Sequence, residues 1–250
     1  MHTRGANPVD GERVLVIIPA YNEEEVLAST LAELRLAQPH LTQLVVDDGS
    51  VDATATVARH SGAEVVILPF NLGIGGALRT GFMYAIRNGY TSAIQFDADG
   101  QHDPTEIPVL LQSIGSGSDL VIGSRFAEGG GHYEVGRVRR AAMSSLRWMI
   151  RRISRQEFSD TSSGFRAFSE RALRMFSKDY PVEYMESVES LLMAVNAGLV
   201  VCEVPVRMRE RAGGVPSNRH FRLVFNYVRL LVVLVLAAVR RPRHSDHQGG

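Results

Sequence analysis

Two carboxylates stand two positions apart where a short apolar segment of the chain ends. The segment Ser92–Phe96 has the composition of a buried strand, and Asp97 and Asp99 follow it. Residues i and i+2 of a strand point to the same side, so both carboxylates are expected to converge on one point. Such a pair of oxygen ligands suits a hard divalent cation. Enzymes that break a phosphate ester bond use a cation of this kind to neutralise the departing charge.

A helix cap is the main alternative explanation for this acidic run. Asp103 followed by Pro104 and Glu106 has the pattern of an N-cap with proline at the first helical position. The cap accounts for Asp103 but leaves Asp97 and Asp99 unexplained. A cation site is therefore the favoured interpretation of the first two carboxylates.

Other well-known ligand loops do not fit the sequence. A calcium loop of the EF-hand type that started at Asp97 would need glycine and glutamate where His102 and Pro108 stand. The chain has no phosphate-binding P-loop motif, and Gly73–Leu78 has leucine where a dinucleotide motif needs its last glycine. The glycines of this segment indicate close approach of the backbone, either to a ligand or to a neighbouring strand.

Strand-like and helix-like segments alternate through the first half of the chain. The first helix is expected over Glu23–Ala37 with Asn22 and Glu25 as a capping pair. Continuous apolar strands separated by helices indicate an α/β fold with a mostly parallel sheet, in which ligands bind beyond the carboxyl ends of the strands. The predicted strands are Val14–Ile18, Leu44–Asp47, Glu64–Leu68, Ala93–Asp97, Asp119–Gly123 and Val200–Val206.

The bulk composition limits the class of protein only loosely. The 250 residues carry 27 basic and 27 acidic side chains, so the net charge gives no reason to expect a nucleic acid partner. The single Cys202 excludes an internal disulfide framework and fits a reducing compartment. Residues 1–12 are polar and predicted to be a disordered leader, and residues 241–250 a disordered tail.

Two later segments suggest contact with a membrane surface. Residues 137–156 place arginines on one helical face and apolar side chains on another, which is typical of a helix on an anionic membrane. A solvated basic face is the other interpretation. Residues 219–240 predict a hydrophobic helix, but its uninterrupted apolar run, Leu230–Val239, is shorter than the roughly 20 residues that span a bilayer.

Six motifs at strand ends, taken together, resemble those of the family 2 glycosyltransferases, which have the GT-A fold. The resemblance covers residues 13–218 and is strongest to the synthases of dolichyl- or polyprenyl-phosphate mannose and glucose. It implies a GT-A-type, Rossmann-like sheet flanked by helices. The motifs are Ile18–Glu24, Val46–Ser50, Asn71–Ala77, Phe96–Gln101, Gly123–Phe126 and Asp160–Arg166.

The resemblance also implies a role for particular residues. Asp99 and Arg125 are the expected catalytic residues, and the role of Glu189 stays open. The residues expected to bind the nucleotide sugar are Pro19, Ala20, Tyr21, Glu23, Asp48, Asp97 and Ala98. Those expected to bind Mg²⁺ or Mn²⁺ are Asp97, Asp99 and Gln101. Those expected near the phosphate of the acceptor are Arg125, Arg137, Arg139, Arg140, Ser163 and Arg166.

The function implied by the resemblance is a metal-dependent, inverting transfer of a hexose. The donor would be a nucleotide sugar of the GDP-mannose or UDP-glucose type and the acceptor polyprenyl or dolichyl phosphate, at the cytoplasmic face of a membrane with which the protein associates peripherally. One alternative is a glycan or small soluble acceptor, whose hydroxyl would need a base; His102 adjoins the acidic run but reads equally well as structural. A second alternative is a non-catalytic module that binds a nucleotide sugar or a membrane.

Overall fold

The computed structural model describes residues 13–125, 158–161, 163–181 and 186–209. All of them belong to one of two units of the chain, Met1–Glu134 with Phe158–Val215. Outside the described residues lie the predicted leader, basic segment, hydrophobic helix and tail, and with them Arg137, Arg139 and Arg140. Within the described residues, no helix combines the length and apolar character needed to cross a bilayer.

Strands and helices alternate over residues 14–124 as the sequence predicts, whereas the strand Arg166–Ser169 was not among the predicted strands. The strands are β1 Val14–Ala20, β2 Thr42–Asp47, β3 Glu64–Ile67, β4 Ser92–Gln95, β5 Leu120–Ser124, β6 Arg166–Ser169 and β7 Val201–Pro205. The helices are α1 Leu27–Ala37, α2 Thr54–His60, α3 Ile74–Arg87, α4 Ile107–Gly115, α5 Glu170–Phe176 and α6 Glu186–Asn196, with a 3-10 turn at Pro104–Glu106.

The seven strands of the described residues form one sheet in the order β3-β2-β1-β4-β6-β5-β7. Strand β6 runs antiparallel to both of its neighbours, β4 and β5, and the other strand pairs are parallel. The predicted α/β fold with a mostly parallel sheet is confirmed. Because β6 runs in the opposite direction, the loop that precedes it lies at the edge where β4 and β5 end.

Helices cover both faces of the sheet with apolar side chains. Val16, Ile94 and Phe96 belong to a buried cluster with Leu31 of α1 and Leu110 of α4. Another buried group is aromatic: Phe82 of α3 lies 4.8 Å from Phe168 and 5.1 Å from Tyr180 between ring centroids. Burial of this apolar surface is the main stabilising term of such a fold.

The first helix begins later than the sequence predicts. Its first residue is Leu27 rather than Glu23, and the expected capping pair does not form. Asn22 instead adopts a left-handed conformation with φ of 54°. Its side-chain oxygen accepts a hydrogen bond from the backbone N–H of Val51, in the loop after β2. A tertiary contact between two strand-end loops therefore replaces the local cap.

Gly81 of α3 lies against β1 so closely that a side chain would not fit. A Cβ atom at this position would stand 2.4 Å from Cγ2 of Ile17. We expect Gly81→Ala to lower the free energy of unfolding by about 1–3 kcal/mol through overpacking, measured by urea denaturation. Gly115→Ala is the matched control, since a Cβ there meets nothing within 4 Å. Equal stability of the two variants would contradict the expected clash.

Candidate active site

The register of the sheet brings the predicted site residues to one edge. Ala20, at the end of β1, pairs with Asp47 at the end of β2. Gln95, at the end of β4, pairs with Arg166, the first residue of β6. Since β5 runs parallel to β4, Arg125 leaves the sheet at this same edge. Polar residues that are far apart in the sequence therefore share one surface.

The two carboxylates that were predicted to extend a strand lie in a turn. Strand β4 ends at Gln95, so the alternation of a strand does not set the direction of Asp97 and Asp99. Oδ1 of Asp99 accepts a hydrogen bond of 3.0 Å from the backbone N–H of Gln101. Gly100 between them has φ of 76°, a conformation that favours glycine. The Asp99 side chain thus holds the turn that carries the predicted ligands.

His102 lies buried behind this turn and contacts Asp97 twice. Its ring stacks on Phe165 with 4.7 Å between centroids and meets Phe96 edge-on. Nδ1 accepts a hydrogen bond of 3.0 Å from the backbone N–H of Asp97. Because Nδ1 is the acceptor, the proton of the neutral ring is assigned to Nε2, which lies 3.4 Å from Oδ2 of Asp97.

Burial lowers the pKa of His102 to about 4. The charge of Asp99 raises this pKa and that of Arg125 lowers it, so both groups lie within electrostatic range of the ring. A buried imidazole that stays neutral and has its Nδ1 occupied is unsuited to act as a base near neutral pH. The sequence leaves the role of His102 open, and the structure shows it supporting Asp97.

Gly164 allows the Asp97 carboxylate to approach the backbone of the loop before β6. A Cβ atom on Gly164 would lie 3.1 Å from Oδ2 and 3.2 Å from Oδ1 of Asp97, and 3.3 Å from Nε2 of Gln95. The buried amide of Gln95 has no hydrogen-bond partner among the described residues. Since buried polar groups are rarely left unpaired, a bound water or ligand is expected beside Asp97.

Arg166 and Ser163 are buried, although the sequence predicts that they approach a phosphate. The guanidinium of Arg166 donates hydrogen bonds to the backbone oxygens of Ser163 and Thr161 and to Oγ of Ser190. Its side chain is fully buried. In this geometry its three donors support the loop that contains Gly164, and the expected contact of Arg166 with an acceptor phosphate stays a prediction. Ser163 Oγ accepts from the backbone N–H of Phe165 within that loop.

Glu186, at the start of α6, adds a buried carboxyl group to this region. Burial raises its pKa, the Arg166 charge lowers it, and the Asp97 charge raises it. Glu186 is therefore within electrostatic range of both the supporting guanidinium and the carboxylate turn. Neither its position nor its burial was visible in the sequence, because α6 reads as an ordinary amphipathic helix.

Arg125 is held at the edge by a buried carboxylate. Its Nε donates to Oδ2 of Asp160 at 3.1 Å, and its side chain keeps 40% of its surface exposed while that of Asp160 is fully buried. Asp160 thus fixes the Nε side of a planar guanidinium, the kind of group that suits bidentate contact with an anion. The predicted phosphate ligand Arg125 therefore lies at the same edge of the sheet as the carboxylate turn.

At the other end of the edge, Asp48 organises a loop. Its two carboxylate oxygens accept hydrogen bonds from the backbone N–H groups of Leu72 and Gly73, at 2.7 and 2.8 Å. Gly49 is required beside it, because a Cβ there would lie 2.7 Å from the backbone of Phe70. Asp48 is 4% exposed, so its main observed contacts are with this loop, which includes the glycine-rich motif.

The residues predicted to contact a nucleotide differ in exposure. Tyr21 is 45% exposed, whereas Ala20 and Ala98 are buried. Pro19 and Glu23 are partly buried, and the backbone N–H of Glu23 donates to Oγ1 of Thr54. Tyr21 therefore offers an open aromatic face at the end of β1.

The donor set of the carboxylate turn fits a cation that is shared with a substrate. Asp97 and Asp99 supply carboxylates and Gln101 an amide on one short turn. Among the described residues, no group of three or more His, Cys, Asp or Glu side chains could hold a metal ion by itself. Mg²⁺ is commonly bound by one or two carboxylates together with substrate phosphates and water. The residues present fit that pattern.

The burial of His102 predicts a dependence of stability on pH. The pKa of His102 in the folded protein, about 4, lies below the ordinary value of 6.5. Its contribution to the free energy of unfolding is therefore complete above pH 6.5 and is lost as pH falls towards 4. Between these pH values the unfolded chain binds a proton at His102 and the folded protein does not. This difference lowers the free energy of unfolding by roughly 3 kcal/mol. Urea denaturation in a chelating buffer should show this loss in the wild type and not in His102→Gln. Parallel pH profiles would contradict it.

Comparisons with known proteins agree with the architecture. A solved structure of glucosyl-3-phosphoglycerate synthase from Mycobacterium tuberculosis, in complex with Mn²⁺, UDP-glucose and phosphoglyceric acid, superposes with a TM-score of 0.66. The match covers 94% of this chain and 82% of that one, at 21% identity. This likeness shows a shared fold.

Sequence comparisons identify the family. The chain is 33% identical to the polyprenol monophosphomannose synthase of Mycolicibacterium smegmatis, covering 82% of this chain and 80% of the relative. It is 35% identical to the undecaprenyl-phosphate mannosyltransferase of Micrococcus luteus, covering 81% and 86%. The family model described as Glycosyl transferase family 2 matches residues 15–179. The chain therefore belongs to glycosyl transferase family 2, and it is a glycosyltransferase.

Proposed function

We propose that the protein transfers a hexose from a nucleotide sugar to a polyprenyl phosphate with inversion at the anomeric carbon. The position of the Arg125 guanidinium is the observation that carries this proposal. Its half-exposed guanidinium, held by buried Asp160, shares an edge and an electrostatic environment with the Asp97–Gln101 turn. A diphosphate bound at the turn and a second phosphate bound at Arg125 would thus be neighbours. The two mannosyltransferase relatives, named for polyprenol and undecaprenyl phosphate, support the same acceptor class.

The donor would lie along the ends of β1, β2 and β4. Tyr21 would contact the base, with Pro19, Ala20 and Glu23 beside it, while Asp48 holds the loop after β3 in place. Asp97, Asp99 and Gln101 would bind Mg²⁺ or Mn²⁺. When bound, this cation would supply positive charge next to the departing diphosphate. The turn would therefore position the bond that breaks.

The acceptor phosphate would lie against Arg125. One of its oxygens would attack the anomeric carbon as the bond to the nucleoside diphosphate breaks, and the leaving diphosphate takes the electron pair. A phosphate is already ionised near neutral pH, so the reaction needs no strong base. The buried, neutral state of His102 is consistent with this. Catalysis then consists of placement and electrostatic stabilisation.

We further propose peripheral association with the cytoplasmic face of a membrane, where a polyprenyl acceptor would be embedded. Arg137, Arg139 and Arg140 would add positive charge towards the acceptor and the lipid head groups. Flotation with anionic vesicles should carry the protein to the lipid fraction, and neutral vesicles should carry less of it. Equal recovery with both vesicle types would argue against the electrostatic contribution.

The proposed reaction can be tested with purified protein. GDP-mannose, UDP-glucose and related donors are each incubated with Mg²⁺ or Mn²⁺ and a polyprenyl phosphate, and the glycolipid product is measured. We expect one donor to be used, activity to disappear with a chelator, and Asp99→Asn to lower turnover by at least about 100-fold, because it removes a charge that would bind the cation.

Asp103→Asn is the matched control for this experiment. Asp103 caps the following turn by accepting from the backbone N–H of Thr105, and asparagine caps helices equally well. This variant should keep near wild-type activity. Transfer only to a soluble acceptor would favour the alternative acceptor class, and full activity of Asp99→Asn would refute the assigned role of the turn.

The contact between Gly164 and Asp97 gives a second test of the site. A methyl group at position 164 would displace the Asp97 carboxylate by a few tenths of an ångström. We expect Gly164→Ala to raise the Mn²⁺ concentration needed for half-maximal activity roughly tenfold, since a misplaced ligand weakens metal binding. Gly115→Ala, in open space, should leave it unchanged. An unaltered metal dependence in Gly164→Ala would show that the contact does not position Asp97.

A further inference from the structure

Arg125 depends on Asp160 for its position. The Asp160 Oδ2 atom accepts from Nε of Arg125 at 3.1 Å and from the backbone N–H of the same residue at 3.4 Å. Asp160 is fully buried, so its carboxylate cannot be reoriented freely by solvent. The loop that carries Asp160 therefore fixes the Nε side of the guanidinium.

That loop is in turn held by Glu203, a charged residue in the middle of β7. Its Oε1 accepts from the backbone N–H of Asp160 at 2.8 Å. Its Oε2 accepts from the backbone N–H and from Oγ of Ser159, at 2.7 and 3.0 Å. Ser159 Oγ also lies 2.7 Å from Oγ of Ser124, the residue before Arg125. The Glu203 carboxylate thus connects β7 to Asp160, which binds Arg125, and through Ser159 to Ser124, which precedes Arg125.

We propose that Glu203 is a positioning residue for the acceptor site, acting through Asp160 on Arg125. Two consecutive backbone N–H groups point at its two oxygens, an arrangement that only a carboxylate satisfies fully. Glutamine has a single acceptor oxygen, so it would leave one of these N–H groups facing an amide nitrogen. Glu203 pairs with Ile122 in the neighbouring strand β5, which fixes the distance between this carboxylate and the end of β5.

The loss of Glu203 should affect the acceptor substrate and leave the donor unaffected. Within the described residues, Glu203 hydrogen-bonds to Ser159 and Asp160 and not to the carboxylate turn or the Asp48 loop, so its loss should act on the acceptor side. In its kinetic part this inference rests on the proposed function, because that function identifies the group that Arg125 binds. We expect Glu203→Gln to raise KM for polyprenyl phosphate about tenfold, the effect of losing one charge-assisted hydrogen bond, with KM for the donor unchanged.

Asp119→Asn is the matched control. Asp119 is also a carboxylate that accepts from a backbone N–H, that of Val200 at 3.0 Å, and from a serine hydroxyl, that of Ser169 at 2.8 Å. It lies immediately before β5, at the opposite edge of the sheet from Arg125. This variant should lose stability to a similar extent without raising KM for the acceptor. An equal rise in both variants would indicate general destabilisation and overturn the proposal.

A double-mutant cycle tests whether Glu203 acts through Arg125. In an Arg125→Lys background, whose side chain lacks Nε as a donor to Asp160, Glu203→Gln should raise KM for the acceptor by less than twofold. Residues that act as a unit give non-additive effects. A further tenfold increase in the double variant would mean that Glu203 works by another route.

Hydrogen exchange at the Arg125 side chain tests whether Glu203 positions it, and this test does not depend on the reaction. In ¹⁵N-arginine-labelled protein, the Nε–H of Arg125 should exchange at least tenfold faster in Glu203→Gln than in the wild type and in Asp119→Asn. If the wild type shows no transfer to a polyprenyl phosphate, the proposed function fails while this measurement still tests the positioning. Unchanged exchange in Glu203→Gln would overturn the inference even if the transferase activity is found.

Discussion

The approach of the Asp97 carboxylate to the backbone of Gly164 is the contact on which the rest of the site depends. It joins the turn after β4 to the loop before β6, and a Cβ atom at position 164 would force the carboxylate to shift by a few tenths of an ångström. The antiparallel direction of β6 makes this contact possible, because the start of β6 then lies beside the end of β4. Arg166, fully buried, holds the same loop from below.

Buried polar residues hold the side chains and loops of the site in position. His102 receives the backbone N–H of Asp97 and stays neutral because it is buried. Asp160 orients Arg125, and Asp48 fixes the Leu72–Gly73 backbone. Such supporting groups hold catalytic groups in the geometry that the reaction needs, which matters most where catalysis is placement and electrostatics. The site is therefore a surface formed by loops, with a second layer of charged and hydrogen-bonded groups behind it.

Local sequence patterns predict most strands and helices and the edge of the sheet where the site residues gather. They predict the roles of individual side chains less well. The alternation of apolar strands and helices predicts the α/β sheet, and the strand-end motifs predict which residues gather at one edge. The pairing of Asn22 with Val51 and the shortened β4 were not predicted, because each depends on a partner that is distant in the sequence. Gln95 and Glu203 carried a signal in principle, as polar residues inside otherwise apolar strands, but the pattern alone gives no partner for either.

The sequence by itself determined the family, the alternation of strands and helices in the first half of the chain and the carboxylates that could hold a cation. Those properties follow from residue types and short spacings, which are local. The tertiary structure decided that Arg166 supports a loop, that His102 is a neutral acceptor for Asp97, and that Arg125 is aligned by a buried carboxylate. Each of these roles depends on burial and on contacts between residues that are brought together only when the sheet forms, since burial sets both the protonation of His102 and the cost of leaving a charge unpaired.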